Sequence, residues 1–417
     1  MGENSWIIDN LNAALNTWNE KLAEIWQLLI IIRQWLFCLL TEVALGEISM
    51  DEKYLMLTVN TGSTSTKVAL FENDREIFKK TVEHDPEVMQ GFQTIQDQLP
   101  YRKDMVAQAV VDQGYALEDI PVFVARGGGT QSVIGGTYTI DELLVSDARI
   151  ALPGQHPSQL GSQICWELMQ EYGGDGYVVN PPNIDEFQDL ARVTGLKDVF
   201  RESHNHALNQ KEMAHRYCKK HGTRYEDNNF IITHIGGGVS VTAHRKGRMV
   251  DSCDIIGGEG PMAPNRVGTL TTKSVVDMCF SGKYTEKQVR ERLVRKGGFI
   301  DHLGTEDARE IERRICEGDK YAELIYNALI YQVAKYIGYF APVLKGQVDA
   351  IIVTGGLANS QYLTTALAEY VDWIAPVEVM AGEFEMEALA SGTLRVLTGQ
   401  EQALKYPGKP HWNGFEF

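Results

Sequence analysis

LMLTVNTGSTSTKVALFENDREIF (55–78) returns far down the chain as FIITHIGGGVSVTAHRKGRMVDSCDI (230–255). FIITHI takes the place of LMLTVN, GGG that of TGS, and VSVTAHRKGRMVD that of TKVALFENDREIF. Few residues are identical, but one order is kept: apolar strand, small-residue turn, strand, tight turn, strand. Short runs of Val, Ile, Leu and Thr bounded by polar turns predict strands. Their recurrence predicts an internal duplication of a βββ unit.

The rest of the chain alternates between strand and helix patterns. Helices are predicted over 86–117, 158–172, 207–220, 320–344 and 384–398. Apolar runs at PVFVAR (121–126), YVVNPP (177–182) and DAIIVTGG (349–356) predict further buried strands. The simplest architecture is α/β, with two mixed domains facing each other across a cleft. The expected division is 1–49 as a helical extension, 50–205 as the first domain and 206–417 as the second. The tail YPGKPHWNGFEF (406–417) reads as a surface strap or frayed end.

Composition excludes some partners. The 417-residue chain carries a formal net charge of -17, whereas a nucleic-acid partner demands a basic surface. The hydrophobic share of 44% and charged share of 23% are those of a soluble globular protein. Six cysteines form no CxxC pair, as expected of a reduced, cytoplasmic protein whose cysteines are small buried hydrophobes.

The first fifty residues differ from the rest. Ile25–Thr41 carries Arg33, near its middle, as its only formal charge, and is too short and too charged for a good spanning helix. No basic n-region or A-x-A site marks a signal peptide. An amphipathic helix here would touch a membrane or another subunit through residues 25–45. The alternative is an appended segment before Met50.

Three strands run into glycine turns: NTGSTSTK (60–67), HIGGGVS (234–240) and TGGLANS (354–360). Glycine lets backbone N–H groups approach a phosphate closely. Two of the three turns sit in the duplicated units, the pattern expected of a nucleotide held between two domains. No GxxxxGK[ST] occurs, and no GxGxxG opens a helix after the first strand. The P-loop and the Rossmann fingerprint are thereby excluded.

From Lys53 to Tyr406 the chain resembles the acetokinase family of acetate and butyrate kinases, within the superfamily of sugar kinases, actin and heat-shock chaperones. The resemblance runs in order through NTGSTSTK, RGGG…IGGTY (126–138), PPNIDEFQDLAR (181–192), HALNQK (206–211), HIGGGVSV, GGEGPMAPNR (257–266), TGGLANS and GEFEMEALASGTLRVL (382–397). HALNQ stands where acetate kinases carry HGTSH, and Gly237 where they carry asparagine. Both point to the butyrate branch. The resemblance implies two duplicated ribonuclease H-like (actin-like ATPase) domains facing a central cleft. It also implies reversible phosphoryl transfer between ATP and a short-chain carboxylate, with Mg²⁺, in a cytoplasmic enzyme that is at least a dimer.

The implied roles follow what phosphoryl transfer needs, which is positioning and positive charge. Asn60, Ser63 and Ser65 would orient phosphate oxygens. Arg126 and Arg266 would clamp the carboxylate and the migrating group. His206 would donate to the transition state. Gly236, Gly237 and Gly238 would cradle the nucleotide phosphates, and Gly355 and Gly356 would pack on the adenosine. Asp185 and Glu385 would hold Mg²⁺, directly or through water. Plainer alternatives stand beside these roles. Arg266 could pair with a surface acid, and Asp185 could cap a helix. Glu385 could belong to an exposed acidic face with Glu383 and Glu387. Lys67 is set aside as a strand-edge lysine.

Thr61 stands where the family usually has proline, which predicts a slightly looser turn. Ala125 stands where glycine is common. Pro261, Met262 and Pro264 are candidates for the acyl pocket. Isobutyrate is the nearest rival substrate, and a non-catalytic nucleotide sensor is the rival from another class.

Overall fold

β1 (Leu55–Thr61), β2 (Ser65–Glu72) and β3 (Arg75–Glu83) form an antiparallel meander. β4 (Val122–Ala125) and β6 (Asp175–Val179) then join β1 in parallel, and the short β5 (Thr137–Thr139) closes the far edge. The sheet order is β3-β2-β1-β4-β6-β5. The computed structural model describes Lys21 and residues 52–152 and 154–415. The chain divides at Lys53/Tyr54, and the fold is that of the unit Tyr54–Phe417. The predicted helix over 25–45 lies outside the described residues. Among the described residues no helix is long and apolar enough to cross a membrane.

The second sheet repeats the first. β7 (Asn229–Ile235), β8 (Val239–Arg245) and β9 (Arg248–Ser252) form the meander, and β10 (Ala350–Gly355) and β11 (Val377–Ala381) extend it in parallel. The order β11-β10-β7-β8-β9 is that of the first sheet without its sixth strand. The repeat extends to an irregularity. The register of β2 on β3 shifts between Leu70 and Phe71, and that of β8 on β9 between Ala243 and His244. The sequence alignment above sets Leu70 against Ala243 and Phe71 against His244. A bulge retained at one aligned position is a shared feature of the unit.

Each sheet is covered on both faces, which is why β1, β7 and β10 read as nearly unbroken apolar runs. Leu57, Val59, Val68 and Leu70 point to the helices Leu99–Val111 and Gln159–Tyr172. Ile231, Val241, Ile351 and Val353 point to Lys320–Phe340 and Gln361–Val371. The opposite faces meet in the middle. Helix Ala207–His221 packs on β7 and β10, helix Glu385–Leu397 packs on β1, β4 and β6, and the two helices touch. Met386, Leu389 and Ala390 are thereby buried with Met56, Val124 and Val179. The last helix thus leaves the second half of the chain and completes the first sheet.

Other differences are local. The helix predicted over 86–117 is broken into Pro86–Gln90 and Leu99–Val111, with Gly91 capping the first piece and Pro100 opening the second. β5 and β11 were not predicted. β11 is only half-buried and shows no continuous apolar run. The tail is a strap: Leu404 pairs across β5, and the Tyr406 hydroxyl donates to Asp147 at 2.7 Å. Thr61 is not loose, because its hydroxyl donates to the Pro157 carbonyl at 2.7 Å. Cys165, Cys218 and Cys253 are buried as expected, whereas Cys279 and Cys316 are exposed.

Candidate active site

The carboxyl ends of the parallel strands of both sheets open onto one cleft. Arg126 follows β4, Asn180 and Pro182 follow β6, and His234 and Gly237 lie at the end of β7. His206 caps helix Ala207–His221, and Ala207, Leu208 and Asn209 of its first turn line the same space. The cleft has a volume of about 220 Å³ and also contacts Glu383 and Glu385. Those two glutamates are shared with an adjoining cavity of about 400 Å³, lined by Lys67, Lys79, Gly356 and Gly382. A helix N-terminus aimed into a cleft with Arg126 favours an anionic ligand.

Glu385 is where several predicted residues converge. Asn60 Nδ2 donates to its Oε2 at 2.8 Å, Arg126 Nη1 lies 3.4 Å from Oε1, and Lys67 Nζ lies 3.5 Å from Oε2. Burial would raise this carboxyl's pKa, but the Arg126 and Lys67 charges outweigh it and hold the pKa below the usual range. The reason Asn60 and Lys67 arrive together is register, since they are cross-strand partners in β1 and β2. Lys67 therefore belongs to the site, although its sequence context alone set it aside.

The first glycine turn is closed by the Gly62 N–H donating to the Ser65 carbonyl at 2.8 Å. Ser63 is exposed and Ser65 partly buried. Beneath the turn lies Arg102, fully buried, donating to the Gly62 carbonyl and the Thr66 hydroxyl at 3.0 Å each. Its Nε donates to Gln98 at 3.0 Å. A guanidinium held by neutral acceptors leaves net positive charge under the turn. Sequence reasoning missed Arg102, whose only signal was a helical arginine among apolar neighbours.

In the second turn, a Cβ on Gly238 would sit 2.7 Å from Arg266 Nη1. Glycine is what lets that guanidinium lie against the turn. Arg266 donates to the Ile255 carbonyl at 3.0 Å, and its buried Nε has no partner among the described residues. Burial lowers its pKa. The surface-acid alternative does not describe Arg266. Gly355 serves packing: at φ 93° a Cβ would lie 2.4 Å from the Ile235 carbonyl oxygen.

His206 and His234 stack face to face, with ring centroids 4.0 Å apart. Both are held neutral. Burial and the neighbouring His234, Arg266 and Arg126 push His206 well below its ordinary value. Burial lowers His234 to about 4 despite the nearby Glu385. Unlike Lys67, which was weighed and set aside, His234 was not singled out from the sequence, because its role depends on the stacking.

Asp185 has a different partner from the one expected. Both its oxygens accept from Arg192, at 2.6 and 2.7 Å, in a buried bidentate pair. It also accepts from the Phe187 N–H at 3.2 Å, and the following helix starts only at Asp189, after Gln188. It is neither a helix N-cap nor a lining residue of the cleft. Met262 is likewise packed into the core of the second sheet rather than lining the cleft. Among the described residues no group of three or more His, Cys, Asp or Glu could hold a metal by protein ligands alone. Glu385 and Glu383 do fit a magnesium site of the kind that uses one or two carboxylates plus substrate phosphates.

A protein-family scan matches the acetokinase family over residues 199–378. Butyrate kinase 2 of Clostridium acetobutylicum is 43% identical over 354 residues, covering 85% of this chain and 99% of that protein. The chain belongs to the acetokinase family. A probable butyrate kinase of Clostridium botulinum, 42% identical, covers the same shares of both chains. Among solved structures, the acetate kinase of Porphyromonas gingivalis superposes with a TM-score of 0.67 at 19% identity, covering 82% of this chain and all of that one. A propionate kinase of Francisella tularensis gives 0.65 at 17% identity, covering 81% and 98%. These likenesses establish the two-domain, actin-like fold. Within this acetokinase frame, the cleft is lined by Arg126, His206, Gly237 and Glu385, Asn60 joins it through its hydrogen bond to Glu385, and Asp185 lies outside it.

Proposed function

We propose that this protein is a butyrate kinase, transferring a phosphoryl group reversibly between ATP and butyrate to give butyryl phosphate and ADP. The observation that carries this is the convergence of Arg126, His206 and Glu385 on one cleft, with Asn60 bonded to Glu385, in a chain 41–43% identical to butyrate kinases. In the forward direction a carboxylate oxygen attacks the γ-phosphorus in line while the bond to the ADP oxygen breaks. Arg126 orients the carboxylate. Arg266, on the glycine turn, takes charge on the migrating group, and His206 donates a hydrogen bond to it. The turn at Ser63 and Ser65 and the turn at Gly236–Gly238 hold the two ends of the phosphate chain, and Gly355 and Gly356 border the nucleotide.

Mg²⁺ would be held by Glu385 and Glu383, with Asp185 kept from it by its pair with Arg192, and would supply charge neutralisation between the phosphates. Two domains, 50–205 and 206–417, would close on the substrates, with helix Glu385–Leu397 reaching back across them. We place the enzyme in the cytoplasm as a homo-oligomer. The test is acyl-phosphate formation by the full chain, trapped with hydroxylamine, on butyrate, isobutyrate and acetate. Highest kcat/KM on butyrate supports the proposal. Highest kcat/KM on acetate would move the protein to the acetate branch. No turnover by a folded, ATP-binding protein would leave a nucleotide sensor.

A further inference from the structure

A chain of side-chain hydrogen bonds runs from the core to the cleft. Tyr225 Oη lies 2.6 Å from His244 Nδ1, and His244 Nε2 lies 3.1 Å from Gln210 Oε1. Gln210 Nε2 lies 2.8 Å from Ser240 Oγ, which lies 2.8 Å from His206 Nδ1. Gln210, Ser240 and His244 are fully buried, and Tyr225 nearly so. Water cannot supply alternative partners there, so the proton order is constrained.

The direction follows from fixed carbonyls. Gln210 Nε2 also faces the Ser240 carbonyl at 3.5 Å; turned over, the amide would set oxygen against oxygen. Its nitrogen therefore donates to Ser240 Oγ, and its oxygen accepts from His244 Nε2–H. His244 Nδ1 then accepts from the Tyr225 hydroxyl. Ser240, already receiving a proton from Gln210, has His206 Nδ1 as the acceptor for its own. A buried hydroxyl proton left unpaired would forfeit its hydration with nothing in return. His206 Nδ1 thus accepts, and its proton resides on Nε2, which has no partner among the described residues.

The stacked ring is set the other way. Asn209 Nδ2 lies 2.6 Å from the Glu383 carbonyl oxygen and 3.4 Å from that of Gly382. Its Oδ1 must therefore face His234 Nδ1, at 2.9 Å, and accept a proton from it. His234 is left with a lone pair on Nε2.

We propose that Ser240 and Gln210 are positioning residues that lock His206 as its Nε2–H tautomer, a neutral donor to the transferring phosphoryl group, while Asn209 locks the stacked His234 as the opposite, accepting tautomer. The role of the donor rests on the kinase function proposed above; the locking itself does not. It gives a reason for HALNQ beyond family likeness, because Asn209 and Gln210 set one ring each.

The experiment is nitrogen-15 NMR of the histidine side chains in the full-length protein without substrates, with assignments from His206→Gln and His234→Gln. Expected are Nε2–H for His206 and Nδ1–H for His234. An Nδ1–H or mixed His206 would overturn the proposal. Ser240→Ala should then give a mixed His206 signal and lower kcat by the share of Nε2–H that is lost, about two- to tenfold. KM for both substrates should stay within about twofold, since a transition-state interaction is what is lost. Ser240→Thr, which keeps the hydroxyl, should restore tautomer and rate. A folded Ser240→Ala protein with unchanged tautomer and kcat would also overturn the proposal. Opposite tautomers in a chain without kinase activity would refute the proposed function and leave the locking intact.

Discussion

Replacing Glu186 should loosen the junction between the two sheets. The segment after β6 carries Glu186, whose side chain is 2% exposed. Its carboxylate accepts from the Gly135 N–H and the Met249 N–H at 2.8 Å each, and from Lys211 Nζ at 2.9 Å and Arg248 Nη1 at 3.2 Å. Gly135 belongs to the first half of the chain, whereas Met249 and Arg248 lie on β9 of the second sheet and Lys211 on the helix that His206 caps. Burial alone would raise the Glu186 pKa; the Lys211 charge and the backbone donors reverse this and lower it from 4.5 to about 2. That difference corresponds to about 3 kcal/mol favouring the charged, folded form.

Because the folded value is depressed, this stability is present above about pH 4.5. It is lost as pH falls from there toward 2. Glu186→Gln also strands the buried Lys211 cation, so at pH 7 the loss should be about 3–5 kcal/mol. Urea denaturation of wild type and variant at pH 7 and at pH 3 is the assay. The gap between them should shrink at pH 3, where the wild-type carboxylate has lost most of this advantage. Glu186→Gln combined with Lys211→Met should recover part of the loss, since both charges are then gone. A loss below about 1 kcal/mol at pH 7, or a gap independent of pH, would refute the reading of Glu186 as an ionic tie between the two sheets.

Arg126→Lys keeps the charge but loses the planar fork; kcat/KM for the carboxylate should fall about 10²-fold with little change in thermal midpoint, as read by steady-state kinetics. Glu385→Gln should raise the Mg²⁺ concentration needed for half-maximal rate by about tenfold in a metal titration, and an unchanged requirement would remove Glu385 from the metal site. Met262→Trp should lower the thermal midpoint through overpacking of the second core, while leaving the butyrate-to-acetate ratio of kcat/KM where it was.

The duplication was legible in the sequence because its signals are local. Strands of seven to nine residues announce themselves by apolar runs, and the turns between them by glycine and hydroxyl residues. The same locality let HIGGGVS and NTGSTSTK be matched, and the structure then added the aligned bulges at Leu70/Phe71 and Ala243/His244. Asn60, Arg126 and His206 were legible for a further reason: each directly follows or ends a recognisable strand or precedes a helix. Family resemblance then supplied their chemistry.

What the tertiary structure decided are the pairings between distant segments. Nothing near Asp185 in the sequence says that Arg192 closes its carboxylate, because a bidentate ion pair depends on how the loop after β6 turns. Lys67 became a site residue only when helix Glu385–Leu397 returned to the first sheet and placed Glu385 beside it. The His206–His234 stack brings together a helix cap and a strand end in the same way. Apolar periodicity determines which face of an element is buried, and so the sequence by itself determined the elements and their order. Which charged or polar tips then meet depends on angles and distances between packed elements, and those are properties of the assembled fold alone.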